Sequence, residues 1–141
     1  MEPHKRRRRI VLSVVLPVFI LIVAIMLYDS NTRLVLTEYE LRYRDLPARF
    51  DGFRIVALSD IHAAEFGEDN ERLISMVRDA EPDIIAITGD LIDGYGKPPV
   101  ESQLEIADRL AAGLMEIAPV YYVTGNHDWN SGAVKTLINI L

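Results

Sequence analysis

Residues 10–28 read IVLSVVLPVFILIVAIMLY, a run broken only by Ser13 and Pro17. At about 1.5 Å per residue it nearly crosses a hydrocarbon core of roughly 30 Å, and it lacks the polar stripe of a helix from a soluble core. A polar stretch follows at 29–33. Residues 34–44 then alternate, with Val35, Thr37, Tyr39, Leu41 and Tyr43 set against Leu36, Glu38, Glu40 and Arg42, which predicts a half-exposed edge strand. Leu46-Pro47 and Asp51-Gly52 mark turns. Three short, nearly unbroken apolar runs come next, at 53–58 (FRIVAL), 83–88 (DIIAIT) and 120–124 (VYYVT). Such runs suit strands of a sheet covered on both faces. Helical periodicity separates them. Leu73, Ile74, Val77 and Ala80 share a face over 70–80, ended by Glu81-Pro82, and Leu104, Ala107, Leu110, Ala111 and Leu114 share one over 101–117. Gly113 weakens the second helix by roughly 1 kcal/mol relative to alanine. A further apolar, helix-like segment runs from 131 to 141.

The order β-β-α-β-α-β-α predicts an α/β domain with right-handed parallel crossovers, preceded by one transmembrane helix. The expected divisions are a basic N-terminus at 1–9, a membrane anchor at 10–28, a linker with an edge strand at 29–52, and the α/β domain at 53–141. Its last residues carry no capping glycine or closing turn, so 53–141 reads as the front half of a domain.

Charge sharpens the membrane reading. The 141 residues carry a net charge of −6. Lys5 and Arg6 to Arg9 against Glu2 give the first nine residues +4, which leaves −10 on 29–141. Basic residues before an apolar span hold the N-terminus in the cytoplasm, so the domain is expected on the extracytoplasmic side of the cell membrane, with the bilayer as a partner. A cleavable signal peptide would share the basic start. It would also need a small-residue cleavage site, and Met26-Leu27-Tyr28-Asp29 is bulky, which favours an uncleaved signal anchor. A −10 domain is a poor match for sequence-independent nucleic-acid binding, and no nucleic-acid surface is expected. With half of the residues apolar the chain is not disordered. It has no cysteine, so thiol catalysis, disulfides and zinc ribbons are excluded and any metal must sit on oxygen and imidazole.

The candidate chemistry lies at three strand ends. Ser59-Asp60-Ile61-His62 follows the first apolar run, Gly89-Asp90 the second, and Gly125-Asn126-His127-Asp128 the third. Parallel strands bring their C-terminal ends to one edge, where open α/β sheets bind ligands. In Asp60-x-His62 the two-residue period sends both side chains to one side. A carboxylate and an imidazole so placed suit a divalent cation. Asp90 reaches the same edge from the next strand, and Asn126 offers a carbonyl oxygen. His127 offers a proton, with Asp128 able to fix its tautomer. Each residue also has a plain structural use alone: Asp60 and Asp128 as helix caps, Asp90 in a turn, His62 in a loop. Their joint arrival at one edge is what such uses do not explain.

These three motifs, in this order, resemble the opening motifs of the calcineurin-like metallophosphoesterases, over about residues 54–128. The membrane span and the lead-in Leu46-Pro47 with Phe50-Asp51-Gly52-Phe53-Arg54 look most like the bacterial membrane-associated branch. The resemblance implies Asp60 and His62 on a first divalent metal (Mn, Fe or Zn type), Asp90 bridging two metals, and Asn126 on the second. It implies His127 meeting the phosphate or protonating the leaving oxygen, oriented by Asp128. The implied activity is hydrolysis of phosphate mono- or diesters, with a phosphate ester as partner. The family pattern continues with another histidine and then Gly-His-x-His, which this sequence does not contain. Its remaining histidine is His4. An inactive metal-binding or scaffold module of the same fold is therefore the alternative. The Gly94-Tyr95-Gly96-Lys97 stretch lacks the spacing of a phosphate-binding loop and reads as a loop near the substrate entrance. No Gly-x-Gly-x-x-Gly follows the first strand, which argues against a dinucleotide binder, and Ser59 lacks the partners of a serine hydrolase.

Overall fold

A computed structural model describes residues 11–95 and 98–141. The basic cluster at 1–9, and Gly96 and Lys97 of the expected loop, lie outside the described residues. The chain divides into two compact units, residues 1–35 and 36–141.

The described part of the first unit is mostly helical. A π-helical stretch, Val11–Val15, leads into α1, Leu16–Thr32, with Pro17 near the junction of the two. The Thr32 hydroxyl donates to the Tyr28 carbonyl and the Arg33 N–H to that of Asp29, closing the last turn. The stretch Leu12–Ser30 is long and apolar enough to cross a membrane, and none of it is buried in the protein.

The second unit holds a three-stranded parallel sheet in the order β1-β2-β3: β1 (Ile55–Leu58), β2 (Ile84–Ile87) and β3 (Val120–Tyr122). Ile55 pairs with Ile84, and Ile85 with Val120. The helices are α2 (Glu71–Asp79), α3 (Val100–Met115), a short α4 (Asn126–Asn130) and α5 (Val134–Ile140). The core joins Ile85 and Ile87 of β2 to Leu73 and Val77 of α2, Leu110 and Leu114 of α3, and Leu137 of α5. Ile74 of α2 lies where a Cβ on Gly113 of α3 would sit, 2.5 Å from its Cδ1. The glycine that lowers helix propensity thus lets α2 and α3 approach closely.

Two expectations are corrected. The alternating segment 34–44 forms no strand, and Tyr39, Leu41 and Tyr43 stand in solvent. An alternating run becomes a strand only when a neighbour supplies the ladder, and β1 pairs with β2 alone among the described residues. The element order is therefore β-α-β-α-β-α-α after α1. Among the described residues, the helices of the second unit cover one face of the sheet rather than two. Two right-handed crossovers stepping the same way along a sheet put both helices on the same side, and the order β1-β2-β3 never reverses. The opposite face exposes Ile55 (59%), Tyr121 (60%) and Val123 (61%). α4 was not foreseen as a separate helix. Gly132, at φ +73, turns the chain between it and α5.

Candidate metal centre

The loops after β1 and β2 continue side by side beyond the sheet. The N–H groups of Asp60, His62 and Ala63 donate to the carbonyls of Gly89, Asp90 and Leu91 at 3.2, 2.9 and 2.9 Å. To run this way, Asp60 (φ +54), His62 (φ +50), Ala63 (φ +53) and Asp90 (φ +54) all take left-handed backbone. Non-glycine residues adopt it at a cost of about 1–3 kcal/mol each, and such strain gathers at functional sites. Gly89, at φ +105, has no room for a side chain: a Cβ would stand 2.8 Å from the Gly125 nitrogen. This contact joins the ends of β2 and β3.

Asp60, His62 and Asp90 each offer a ligand atom, and these atoms lie within 4.8 Å of one another. The meeting of Asp60 and His62 comes from left-handed turns past the end of β1, not from strand alternation, with Ile61 buried between them. His62 Nε2 and Asp60 Oδ1 are 3.8 Å apart. That is too long for a hydrogen bond but fits two ligands each about 2.0–2.2 Å from one cation. The Ser59 hydroxyl donates to Asp60 Oδ2, and the His127 N–H to Asp90 Oδ1, leaving Asp60 Oδ1 and Asp90 Oδ2 without those bonds. Carboxylates this close repel unless a cation stands between them, so the donor set fits a divalent metal. Asn126 opens α4 at the end of β3, exposed and next to His127.

His127 and Asp128 divide differently from the expectation. His127 Nδ1 faces Asp93 Oδ1 at 2.9 Å, so Asp93 and not Asp128 orients the imidazole. Nδ1 can donate to that carboxylate only when protonated, which leaves Nε2 as the outward nitrogen. Asp128 is fully buried, and its carboxylate accepts the N–H groups of Asp90 (2.8 Å), Ile92 (3.1 Å) and Gly125 (2.8 Å). Three backbone donors tie this carboxylate to the strand ends, so it is not available to His127. Burial pushes the nearby Tyr122 phenol well above its ordinary value, with the Asp128 carboxylate adding to the effect. That phenol makes no aligned hydrogen bond among the described residues, so Asp128 acts on it by proximity.

Asp93 is the residue that sequence reasoning missed. Its carboxyl is held below the usual 3.8, first by the Tyr95 N–H and then by the His127 side chain. Its own N–H donates to Oε1 of buried Gln103 at 2.7 Å, while Gln103 Nε2 donates to the Pro98 carbonyl. His62, Asp93 and His127 also gather donor atoms within 4.8 Å, and the His62 and His127 rings meet edge to face at 4.5 Å. The available signal was the spacing Asp90-x-x-Asp93, which returns a second carboxylate to the same loop.

Residues 53–139 match the family model for the calcineurin-like phosphoesterases, and the chain belongs to that family. It is 33% identical over 109 residues to a zebrafish (Danio rerio) protein called transmembrane protein with metallophosphoesterase domain, covering 74% of this chain and 23% of that protein. A bovine (Bos taurus) protein of the same name is 32% identical over 107 residues, again 74% and 23%. The Bacillus subtilis protein named uncharacterized metallophosphoesterase YkuE is 39% identical over 59 residues, 40% of this chain and 21% of that protein. The chain thus spans under a quarter of the length of these curated relatives. Family membership makes hydrolysis of phosphate esters the class of chemistry to expect, on a domain with residue groups able to hold divalent metal.

Proposed function

We propose that the protein is a membrane-anchored phosphoesterase that uses a pair of divalent cations, with α1 as an uncleaved signal anchor and the domain at 53–141 on the extracytoplasmic side. The observation that carries this reading is the convergence of Asp60, His62 and Asp90 within 4.8 Å at the ends of adjacent strands. Asp60 and His62 would hold one ion, Asp90 would bridge, and Asn126 would serve the second. Cations held there would neutralise phosphoryl oxygens and activate water, the functions that paired metals supply.

The rest of the chemistry belongs to the chain. Hydrolysis adds water across the ester P–O bond: a bond from phosphorus to the water oxygen forms and that to the leaving oxygen breaks. The leaving oxygen takes a proton from Nε2 of His127 protonated at both ring nitrogens. The attacking water gives its proton to solvent, and the ring regains one from solvent before the next turnover. Asp93 fixes the ring through Nδ1 so that Nε2 faces the reacting centre. Asp128 holds the Asp90 and Gly125 backbones in place, a positioning role rather than a proton-transfer one.

The test assays phosphate mono- and diesters of p-nitrophenol on the full-length protein with Mn²⁺, Zn²⁺ or EDTA. Turnover should need metal and fall by at least about 10²-fold in Asp90→Asn, the loss expected when a group central to catalysis is removed. Hydrolysis indifferent to EDTA, or unchanged in Asp90→Asn, contradicts the proposal. Metal binding without turnover in the wild type would favour the scaffold module.

A further inference from the structure

Tyr95 stands at the edge of this site, 74% exposed. Exposed beside His127, the ring offers a flat apolar face with a polar hydroxyl at its edge. Its place is fixed rather than casual. The ring meets that of His127 edge to face, with centroids 5.6 Å apart and planes at 83°. The Tyr95 N–H donates to Asp93 Oδ1 at 3.1 Å, and this is the same oxygen that faces His127 Nδ1. Gly94 packs so closely on α4 that a Cβ would meet the His127 carbonyl oxygen at 2.5 Å and the Ser131 nitrogen at 2.8 Å. One carboxylate oxygen and one tight backbone contact therefore tie the backbone of Tyr95 to the loop that carries the His127 ring.

We propose that Tyr95 is a specificity-determining platform that stacks against a flat aromatic leaving group. The inference rests on the phosphoesterase reading above. If His127 delivers a proton to the leaving oxygen, whatever is bonded to that oxygen emerges beside the His127 ring. Tyr95 is the exposed aromatic surface in contact with that ring. Stacking of a planar ring on an aromatic side chain strengthens binding by about tenfold, which corresponds to roughly 1.4 kcal/mol. The preferred substrates are accordingly phosphate esters of aryl or nucleoside alcohols rather than of small aliphatic ones.

The experiment compares benzylphosphonate with methylphosphonate, neither of which can be hydrolysed, by titration calorimetry on the Mn²⁺-loaded full-length protein. Tyr95→Leu should weaken benzylphosphonate about tenfold and leave methylphosphonate unchanged, and Tyr95→Phe should restore the benzylphosphonate affinity. A second pair, adenosine 5′-phosphate against ribose 5-phosphate, is read as KM from released phosphate. A selective rise in KM for the nucleotide in Tyr95→Leu supports a platform that takes a ring one sugar away, whereas selectivity in the phosphonate pair alone supports a directly attached one. Equal loss for both members of each pair overturns the proposal, as does no loss for any. Tyr95→Phe as weak as Tyr95→Leu would assign the effect to the hydroxyl and overturn it too. A wild-type protein that binds neither phosphonate removes the phosphoesterase reading and this inference with it. Binding of both phosphonates with selectivity absent removes the inference alone.

Discussion

Asp93 links the Tyr95 N–H, the His127 ring and the Gln103 amide through a single residue outside the three motifs. Asp93→Asn should lower kcat about 10–100-fold with metal stoichiometry unchanged, the usual scale for removing a group that orients a catalytic one. Loss of a bound ion, measured by metal analysis, would instead make His62, Asp93 and His127 a ligand set. The same variant has a pH signature. A carboxyl held below 3.8 in the folded state adds stability that is complete above that value and fades as pH falls through the folded pKa. Asp93→Asn should therefore destabilise the fold equally at about pH 7 and pH 5, and progressively less towards pH 3, in denaturant titrations. Asp128→Ala would strand three backbone N–H groups at a fully buried position, at about 1–3 kcal/mol for each donor left without a partner. Its melting temperature should drop far more than that of His127→Ala; equal drops would contradict the structural role given to Asp128.

At the scale of elements, the strand ends were legible because their chemistry is local in sequence. Asp60-x-His62, Gly89-Asp90 and Gly125 to Asp128 each sit directly after an apolar run, and the shared sheet edge brings the first two onto one cluster. The partner of His127 was not legible, because Asp93 lies 34 residues earlier and reaches it only through the packing of one loop on α4. The uncovered sheet face was hidden for another reason. Ile55 and Ala57 face out while Val56 and Leu58 face in, so β1 is apolar on both sides and has no alternation to read. Leu104 was assigned to the core face of α3, yet Gln103 and Ile106 are buried there, since Gln103 is needed beneath the Asp93 loop. The junction of β2 and β3 gives the sharpest test at this scale. Gly89→Ala adds a Cβ against the Gly125 backbone at a residue with φ +105, so it should separate the two strand ends. Metal affinity should fall at least about tenfold, as for loss of a supporting contact around a metal, and the melting temperature should fall with it. Unchanged affinity would mean that the β2–β3 contact does not shape the site.

For the whole molecule, the two units pose separate questions. The apolar surface of α1, none of it buried in the protein, implies that the full chain should remain in the membrane pellet after alkaline carbonate extraction. Release into the supernatant would contradict anchoring by this helix. The catalytic account depends on the other unit, where left-handed loops at parallel strand ends bring Asp60, His62 and Asp90 together. The direct measurement is Mn²⁺ affinity by titration calorimetry for the wild-type chain and for Asp60→Asn and Asp90→Asn. Each variant should bind Mn²⁺ at least about tenfold more weakly while keeping the wild-type circular dichroism spectrum. Wild-type affinity in both variants would contradict a metal centre at these strand ends.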